Sequence, residues 1–208
     1  MSTTPSAVAP TRIYVVRHGT TLLNRANRYR GRRDVPLDQG GWEDAWSAAR
    51  QLEGVGLEAV YTSPLRRARD TARIVADASG FESVIDLPGL VNLDYGAWEG
   101  LTAEESRAHD EVEFERYQRY AEGSFCPGGE SVDLAATRVA LSLRTLAALH
   151  PGGTVAAVSH AAIVRLAIVE AGGVARADWR VALPNGSVTV FDVTPDALHV
   201  HLDRVGVA

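Results

Sequence analysis

Four side chains of this sequence have the chemistry needed to hold and transfer a phosphoryl group: Arg17, His18, Arg67 and His160. An arginine stays charged and can donate two hydrogen bonds to a pair of phosphate oxygens. A histidine that is neutral near pH 7 can attack phosphorus with one ring nitrogen while the other donates to a fixed acceptor. The set therefore predicts that His18 accepts the phosphoryl group while the other three stabilise its charge.

Each of these side chains follows the end of a short apolar run, and such runs predict strands that are buried on both faces. The runs are residues 13–16, 59–61 and 154–158. In open parallel sheets, ligands bind beyond the carboxyl ends of the strands. Helix N-termini at the same edge add backbone donors and a partial positive charge. We therefore expect the two arginines and two histidines to surround one anion-binding pocket.

Helical segments are predicted between and after these strands. Ser63 and Pro64 are predicted to be the N-cap and the first position of a helix that continues to Val75. The other predicted elements are helices over residues 42–52, from 134 to near 150, and 161–170, and closing strands over residues 187–193 and 198–205. This alternation predicts an α/β fold, a three-layer α/β/α sandwich with a mostly parallel central sheet.

The domain organisation predicted from the sequence is simple. Residues 1–11 are rich in Ser, Thr, Pro and Ala and are predicted to form a flexible N-terminal tail without a secretory signal. Residues 12–208 are predicted to form one domain, because a chain of this length is within the usual size range of a single domain. Within it, the polar segment 102–122 is predicted to be helical and could form a lid over the pocket.

Composition narrows the class of protein. The chain has 208 residues, of which 46% are hydrophobic, and a formal net charge of -5. The acidic balance argues against a nucleic-acid partner and gives no reason to expect binding to an anionic membrane. A single cysteine, Cys126, allows no internal disulfide. This fits a reducing compartment and predicts a cytoplasmic location.

Several short motifs follow one another along the chain, and their order identifies a protein family more specifically than any single motif does. Arg17-His18-Gly19-Thr20-Thr21 resembles the Arg-His-Gly-x-Thr signature of the histidine phosphatase superfamily, in the branch with phosphoglycerate mutases and broad-specificity phosphatases. Further matching positions, in chain order, are Asn24, Arg28, Gly31, Asp34, Pro36, Leu37, Ser63, Leu65, Arg67, Ala68, Thr71, Ala72, Gly96, Trp98, Glu99, Gly100, residues 127–131, residues 158–160, Arg165, Asn185 and residues 187–189. The resemblance covers nearly the whole chain.

The resemblance implies a catalytic site and a fold. His18 would be the phospho-accepting nucleophile, and Arg17, Arg67 and His160 would complete its phosphate pocket. The residues predicted to bind the substrate, a small phosphorylated compound, are Asn24, Arg30, Gly31 and Ala161. No metal and no organic cofactor are implied, and the family fold is an α/β/α sandwich. The length of the chain favours a phosphatase over the cofactor-dependent mutases, which are usually longer.

One position departs from the family pattern. Family members usually carry Glu, or sometimes Asp, four residues before the glycine at position 96, and this carboxyl group protonates the leaving oxygen. Here the residue is Asn92, whose amide cannot supply a proton. Loss of a general acid typically costs about 100- to 10,000-fold in rate. Asp94 or another carboxylate could substitute, the substrate could have a good leaving group, or the site could bind a phosphorylated ligand without efficient hydrolysis.

Arginines are concentrated on both sides of Gly31 in the sequence. Five arginines lie between residues 25 and 33, and Arg30 stands where the family often has Gln. One interpretation is a solvated basic loop. The other is that Arg30 binds a second anionic group of the substrate, a carboxylate or another phosphate.

Three functions remain open at the level of sequence. The preferred one is hydrolysis or transfer of the phosphoryl group of a small acidic phosphate ester through a phosphohistidine at His18. A phosphoglycerate mutase-type transfer and a non-hydrolytic, ligand-binding member of the family are the alternatives. His199 and His201 alternate on a predicted strand and could bind a metal, but no third ligand is evident. An exposed edge strand near the carboxyl end could allow a homodimer.

Overall fold

A computed structural model describes residues 9–206 of the chain as a six-stranded sheet between layers of helices. The strands are β1 (Thr11–Arg17), β2 (Ala59–Thr62), β3 (Ile85–Asp86), β4 (Thr154–Ser159), β5 (Val188–Val193) and β6 (Leu198–Val200). The α-helices are α1 (Leu22–Arg25), α2 (Gln39–Gln51), α3 (Arg66–Ala78), α4 (Ala103–His109), α5 (Glu111–Gln118), α6 (Val132–Leu149) and α7 (Ala161–Glu170). The predicted α/β fold is confirmed.

The sheet is mostly parallel, with the strand order β3-β2-β4-β1-β5-β6. The first four of these strands pair in parallel, whereas β5 and β6 pair antiparallel to their neighbours. Register places Arg17 beside Ser159 and Thr62 beside Val158. The carboxyl ends of β1, β4 and β2 therefore lie at one level, and the turns that follow them meet at one edge of the sheet.

Helices α2 and α3 cover one face of the sheet with small side chains. Their buried residues are mainly alanines, which pack against valines of β1, β2 and β4. A buried alanine face brings two helices close together and leaves little room for movement. This packing fixes α3, whose first turn carries Arg67.

The opposite face is covered by α6 and α7 and has an aromatic extension under α4 and α5. Trp98 and Trp179 both pack against Tyr117, with ring centroids 5.6 and 5.4 Å away. The indole of Trp179 donates to the carbonyl of Gln118 at 3.0 Å. These contacts attach the segment predicted as a helical lid to the domain. The segment forms two helices, because Asp110 ends α4 and caps α5 by accepting from the Glu113 amide at 3.0 Å.

The predicted start of α3 was wrong. The helix begins at Arg66, and its N-cap is Leu65 rather than Ser63. The amide of Arg66 donates instead to the carboxylate of Asp34 at 2.6 Å, so a distant side chain caps the helix. The hydroxyl of Ser63 forms a hydrogen bond with the ring of His160 at 2.7 Å. Ser63 thus bonds to the site, and its hydroxyl has only a long contact of 3.4 Å with the amide of Leu65 at the start of the helix.

The two ends of the chain also differ from expectation. Residues 1–8 of the predicted tail lie outside the described residues, and Thr11 already belongs to β1. The predicted strand over 198–205 stops at Val200, because the amide of Arg204 bonds back to the carbonyl of His201 and turns the chain away. Among residues 9–206, no helix is long and apolar enough to cross a membrane.

Two leucines of α6 test how the helix packs. Leu143 is fully buried, whereas Leu141 is 56% exposed on the same helix. We expect Leu143→Ala to lower the free energy of unfolding by about 2–5 kcal/mol, and Leu141→Ala by no more than about 0.5 kcal/mol. Urea unfolding measured by circular dichroism checks the pair, and equal losses for the two variants would contradict the observed orientation of α6.

Candidate active site

His18 follows β1, and its ring is fixed in one tautomer. Nδ1 lies 2.6 Å from the carbonyl oxygen of Gly19. A carbonyl can only accept, so Nδ1 carries the hydrogen. Nε2 is then an unprotonated nitrogen, and it accepts from Nε of Arg67 at 3.2 Å. The lone pair of the His18 ring is therefore on Nε2, and nucleophilic attack requires such an unprotonated nitrogen.

The surroundings of His18 keep its ring neutral. Only 1% of the residue is exposed. Burial lowers the pKa of His18 well below its ordinary value, and the positive charges of Arg67 and Arg17 lower it further. A proton on Nε2 would have to sit unsolvated beside two guanidinium groups. The ring is therefore available as a nucleophile throughout the neutral pH range.

The turn after His18 is held by close backbone packing. A Cβ atom on Gly19 would lie 2.1 Å from the carbonyl oxygen of Gly41, and one on Gly41 would lie 2.1 Å from that of Thr20. Both positions therefore require glycine. The amide and hydroxyl of Thr20 donate to Asp44 at 2.8 and 2.6 Å, which ties the turn to α2. This rigidity positions the imidazole before any ligand binds.

Arg67 is a fully buried arginine held by backbone carbonyls. It donates to the carbonyls of Arg33 and Gly31 at 2.8 and 2.9 Å, in addition to His18. Burial, and then the charge of Arg30, lower the pKa of Arg67 to about 9, so it remains charged at neutral pH. Gly31 has φ of +50°, and a Cβ there would meet the carboxylate of Glu99 at 1.8 Å. Gly31 therefore positions Arg67 through its carbonyl.

His160 lies between β4 and α7, beside His18. The centroids of the two rings are 5.1 Å apart. Nε2 of His160 bonds to Ser63, while its buried Nδ1 has no hydrogen-bond partner within the part of the chain that the structure describes. Burial and the charge of Arg67 lower the pKa of His160 well below its ordinary value. A neutral ring with one unused nitrogen is thus placed beside the nucleophile.

A pocket of about 360 Å³ opens at this edge of the sheet. Arginines dominate its lining, and over residues 9–206 no aspartate or glutamate contributes to it. Of these arginines, only Arg28 forms an ion pair, with Glu105 at 2.7 Å. The others, Arg17, Arg30, Arg165 and Arg180, form none with any described residue. The pocket carries an unbalanced positive charge and suits a multiply charged anion.

The arginines of the pocket repel one another, and this repulsion contributes to the lowered pKa of Arg17. Burial, then Arg30 and Arg165, lower the pKa of Arg17 to about 9. Burial likewise lowers the pKa of Arg30 and of Arg165. The buried Nε atoms of Arg17 and Arg30 have no acceptor among residues 9–206. An anion in the pocket would satisfy these donors and relieve the repulsion.

Asn92 is a nearly buried residue of the pocket lining. Its Nδ2 donates to the carbonyl of Gly31 at 3.1 Å, the same oxygen that accepts from Arg67. That acceptor fixes the amide orientation, and Oδ1 has no partner within the described chain. Asn92 is only 3% exposed. The position where an acid is expected thus carries an amide, which can accept through Oδ1 and donate its second hydrogen but cannot supply a proton.

The structure brings most of the predicted site residues together. Arg17, His160, Asn92, Asn24, Arg30 and Ala161 line the pocket, whereas His18 and Arg67 are buried directly beside it. Oδ1 of Asn24 accepts from the hydroxyl of Thr21 at 2.8 Å, which leaves the Asn24 amide hydrogens for a ligand. Gly31 does not line the pocket and acts only through its carbonyl.

Other lining residues were missed as site residues. Asn185 donates to the carbonyl of His18 at 2.9 Å, and its place in the closing motif was the signal that could have identified it. Arg180 follows the buried Trp179 in an irregular loop, and no motif in the sequence indicated that it belongs to the site. Tyr29, Tyr95 and Tyr117 form one wall, with the Tyr95 and Tyr117 hydroxyls 2.9 Å apart. Burial raises the pKa of Tyr95 to about 12.

The remaining candidates of the sequence lie outside the pocket. His201 bonds to Asp192 at 2.7 Å, and residues 9–206 contain no group of three or more His, Cys, Asp or Glu that could hold a metal ion. Cys126 is buried, and burial raises the pKa of its thiol. A buried, protonated thiol is inert.

Comparison with known proteins defines the class. Residues 13–204 match the model of the histidine phosphatase superfamily (branch 1). The match covers most of the chain, and the fold and the histidine–arginine site agree with it. This protein therefore belongs to the histidine phosphatase superfamily.

Individual relatives differ in their named activities. The bifunctional protein Rv2228c of Mycobacterium tuberculosis is 36% identical over 96% of this chain and 50% of its own length. The chain thus spans about half the length of that relative. The probable phosphoglycerate mutase GpmB of Yersinia pestis is 33% identical over 86% of this chain and 84% of its own. The mycobacterial glucosyl-3-phosphoglycerate phosphatase Rv2419c, in complex with VO3, has a TM-score of 0.82 at 26% identity, covering 95% and 99% of the two chains.

The charge state of the two histidines is testable by NMR. We expect His18 to stay neutral with its hydrogen on Nδ1 as the pH falls from about 8 to about 6, whereas both histidines titrate near about 6.5 in the unfolded chain. Because the unfolded chain takes up protons that the folded one does not, the free energy of unfolding should fall as pH drops through that value. Nitrogen-15 shifts of labelled histidine check this, and a folded His18 that protonates near 6.5 would contradict the geometry.

Proposed function

We propose that this chain transfers or hydrolyses the phosphoryl group of a small acidic phosphorylated substrate through a phosphohistidine at His18. The observation that carries the proposal is the pair formed by His18 and Arg67. Nε2 of a neutral imidazole faces a buried guanidinium at 3.2 Å, at the edge of a pocket lined with arginines. A nucleophile and a charge that stabilises a phosphoryl group are thus already in place.

The roles of the surrounding groups follow from their positions. Arg17, Arg67 and the unused Nδ1 of His160 would bind the oxygens of the transferring group. The amide of Asn24 and the backbone of Ala161, at the N-terminus of α7, would add neutral donors. No residue in this scheme requires a metal or an organic cofactor. Water that reaches the phosphohistidine would complete a hydrolysis, and a substrate hydroxyl would complete a transfer.

We infer that the substrate carries a second anionic group, because the pocket has more arginines than the proposed contacts to the phosphoryl group use. Arg30, Arg165 and Arg180 line the pocket without forming an ion pair with any residue from 9 to 206. They could bind a carboxylate or a second phosphate. A phosphatase and a phosphoglycerate mutase among the relatives both have names that refer to acidic phosphate esters.

A mutase-type transfer is the second candidate. The supporting observation is Asn92, whose unpartnered Oδ1 can accept a hydrogen bond from an incoming hydroxyl. A third candidate, binding without chemistry, is disfavoured by the tautomer of His18, which mere binding of phosphate does not require.

The phosphoenzyme provides the direct test of this proposal. We expect rapid quenching after mixing with a radioactive phosphoryl donor to show label on the wild-type protein and none on His18→Ala. His199→Ala, which removes a histidine from an exposed position of β6, is the matched control and should label like the wild type. Absence of a His18-dependent phosphoenzyme with every donor would favour the binding candidate.

The role of Arg30 is tested by comparing two substrates. We expect Arg30→Gln to lower kcat/KM for a substrate with a second anionic group by about 10- to 100-fold, corresponding to one lost charge-assisted hydrogen bond. The loss for a substrate with a neutral leaving portion should be much smaller. Steady-state assays of phosphoglycerate and glycerol phosphate measure the difference, and equal losses would show that Arg30 does not recognise the second anion.

A further inference from the structure

No carboxylic acid reaches the pocket from the described chain. Its lining over residues 9–206 contains neither aspartate nor glutamate. Asp94 and Glu99, the first two acidic residues after Asn92 in the sequence, are used elsewhere. Glu99 accepts from the amide of Arg32 at 2.6 Å, and Asp94 pairs with the same arginine at 3.3 Å. Neither carboxylate can take the place of an acid at position 92.

Asn92, His160 and Tyr95, which are uncharged polar residues of the lining, are poor proton donors. Asn92 donates one amide hydrogen to Gly31, and an amide cannot supply a proton to an alkoxide. Burial and neighbouring charge lower the pKa of His160, so the ring is neutral, and a neutral imidazole is a very weak acid. The hydroxyl of Tyr95 is hydrogen-bonded to that of Tyr117, and burial raises its pKa to about 12. An alkoxide leaving group would find no carboxylic acid here among residues 9–206.

The pocket is, by contrast, well suited to a leaving group that departs as an anion. Arg30, Arg165 and Arg180 have no carboxylate partner in the described structure. A carboxylate or phosphate would match their forked donors. Such a leaving group needs no proton, because it is stable as an anion at neutral pH.

We propose that the substrate is a phosphoric anhydride, in which the phosphoryl group is joined to a carboxylate or to a second phosphate, rather than an alkyl phosphate ester. The inference rests on the proposed role of His18 and narrows its substrate class. The determinants are the amide of Asn92, which cannot supply a proton, and the absence of a carboxylate from the lining of the pocket over residues 9–206.

The reaction balances without an acid. The electron pair on Nε2 of His18 forms the bond to phosphorus, and the bond from phosphorus to the bridging oxygen breaks. The carboxylate or phosphate departs with that electron pair and takes up no proton. Water then attacks the phosphohistidine, the bond between nitrogen and phosphorus breaks, and the pair returns to Nε2. Both hydrogens of the water leave with the dihydrogen phosphate ion, and Nδ1 keeps its hydrogen throughout.

The first test needs only the wild-type protein. We expect kcat/KM for acetyl phosphate or for inorganic pyrophosphate to exceed that for glycerol phosphate by at least about 100-fold, the contribution that a missing general acid would otherwise make. The better of the two anhydrides identifies the carboxylate or the phosphate as the leaving group. A value for glycerol phosphate equal to or above both anhydrides would overturn the proposal.

The second test restores an acid. Asn92→Asp should raise the ratio of kcat/KM for glycerol phosphate to that for acetyl phosphate by at least about 10-fold, because only the alkoxide benefits from a proton donor. Asn27→Asp adds the same charge at an exposed position of the rim and should not raise the ratio. An unchanged ratio in Asn92→Asp would contradict the assigned role of Asn92.

The outcomes separate this inference from the proposed function. If turnover of every compound is independent of His18, as judged with His18→Ala, the proposed function fails. If turnover depends on His18 but the alkyl ester is the best substrate, only the anhydride inference fails.

Discussion

The site depends on the positive charge of Arg67, which forms an ion pair with no carboxylate among residues 9–206. Arg67 is completely buried, yet its partners are two backbone carbonyls and a neutral histidine. An isolated buried charge is costly, and it is normally paired with an acid. Here an acid would also quench the attraction for phosphate. The backbone carbonyls of Arg33 and Gly31 hold the guanidinium in place while preserving its charge for the ligand.

The arrangement of the sheet follows from the same requirement. The arginines and histidines come from separate parts of the chain, and they meet only because β1, β4 and β2 are neighbouring parallel strands that end at one level. The close packing of Gly19 against Gly41 and of the alanines between α2 and α3 leaves this edge little freedom. A rigid site does not have to reorganise when charge moves from phosphorus to the leaving oxygen.

The sequence was sufficient to predict these junctions, because each has a local signal: a short apolar strand, then a polar turn, then a helix. It predicted α7 at its observed bounds and placed Arg67 in the first turn of α3. Features that depend on distant contacts could not be predicted. Ser63 has the local pattern of an N-cap but bonds to His160, and Asp34 caps the helix instead. The orientation of the Asn92 amide is likewise set by Gly31, which is 61 residues away in sequence.

A crystal structure of the protein with vanadate would test the central claim, that a neutral His18 presents Nε2 to a phosphoryl group held by unpaired arginines. The account predicts vanadium bonded to Nε2 of His18, with its oxygens in contact with Arg17, Arg67 and His160. The arginine side chains should keep the positions that they have without the ligand. Vanadate bound elsewhere, or bound only after Arg67 leaves the carbonyl of Gly31, would contradict it.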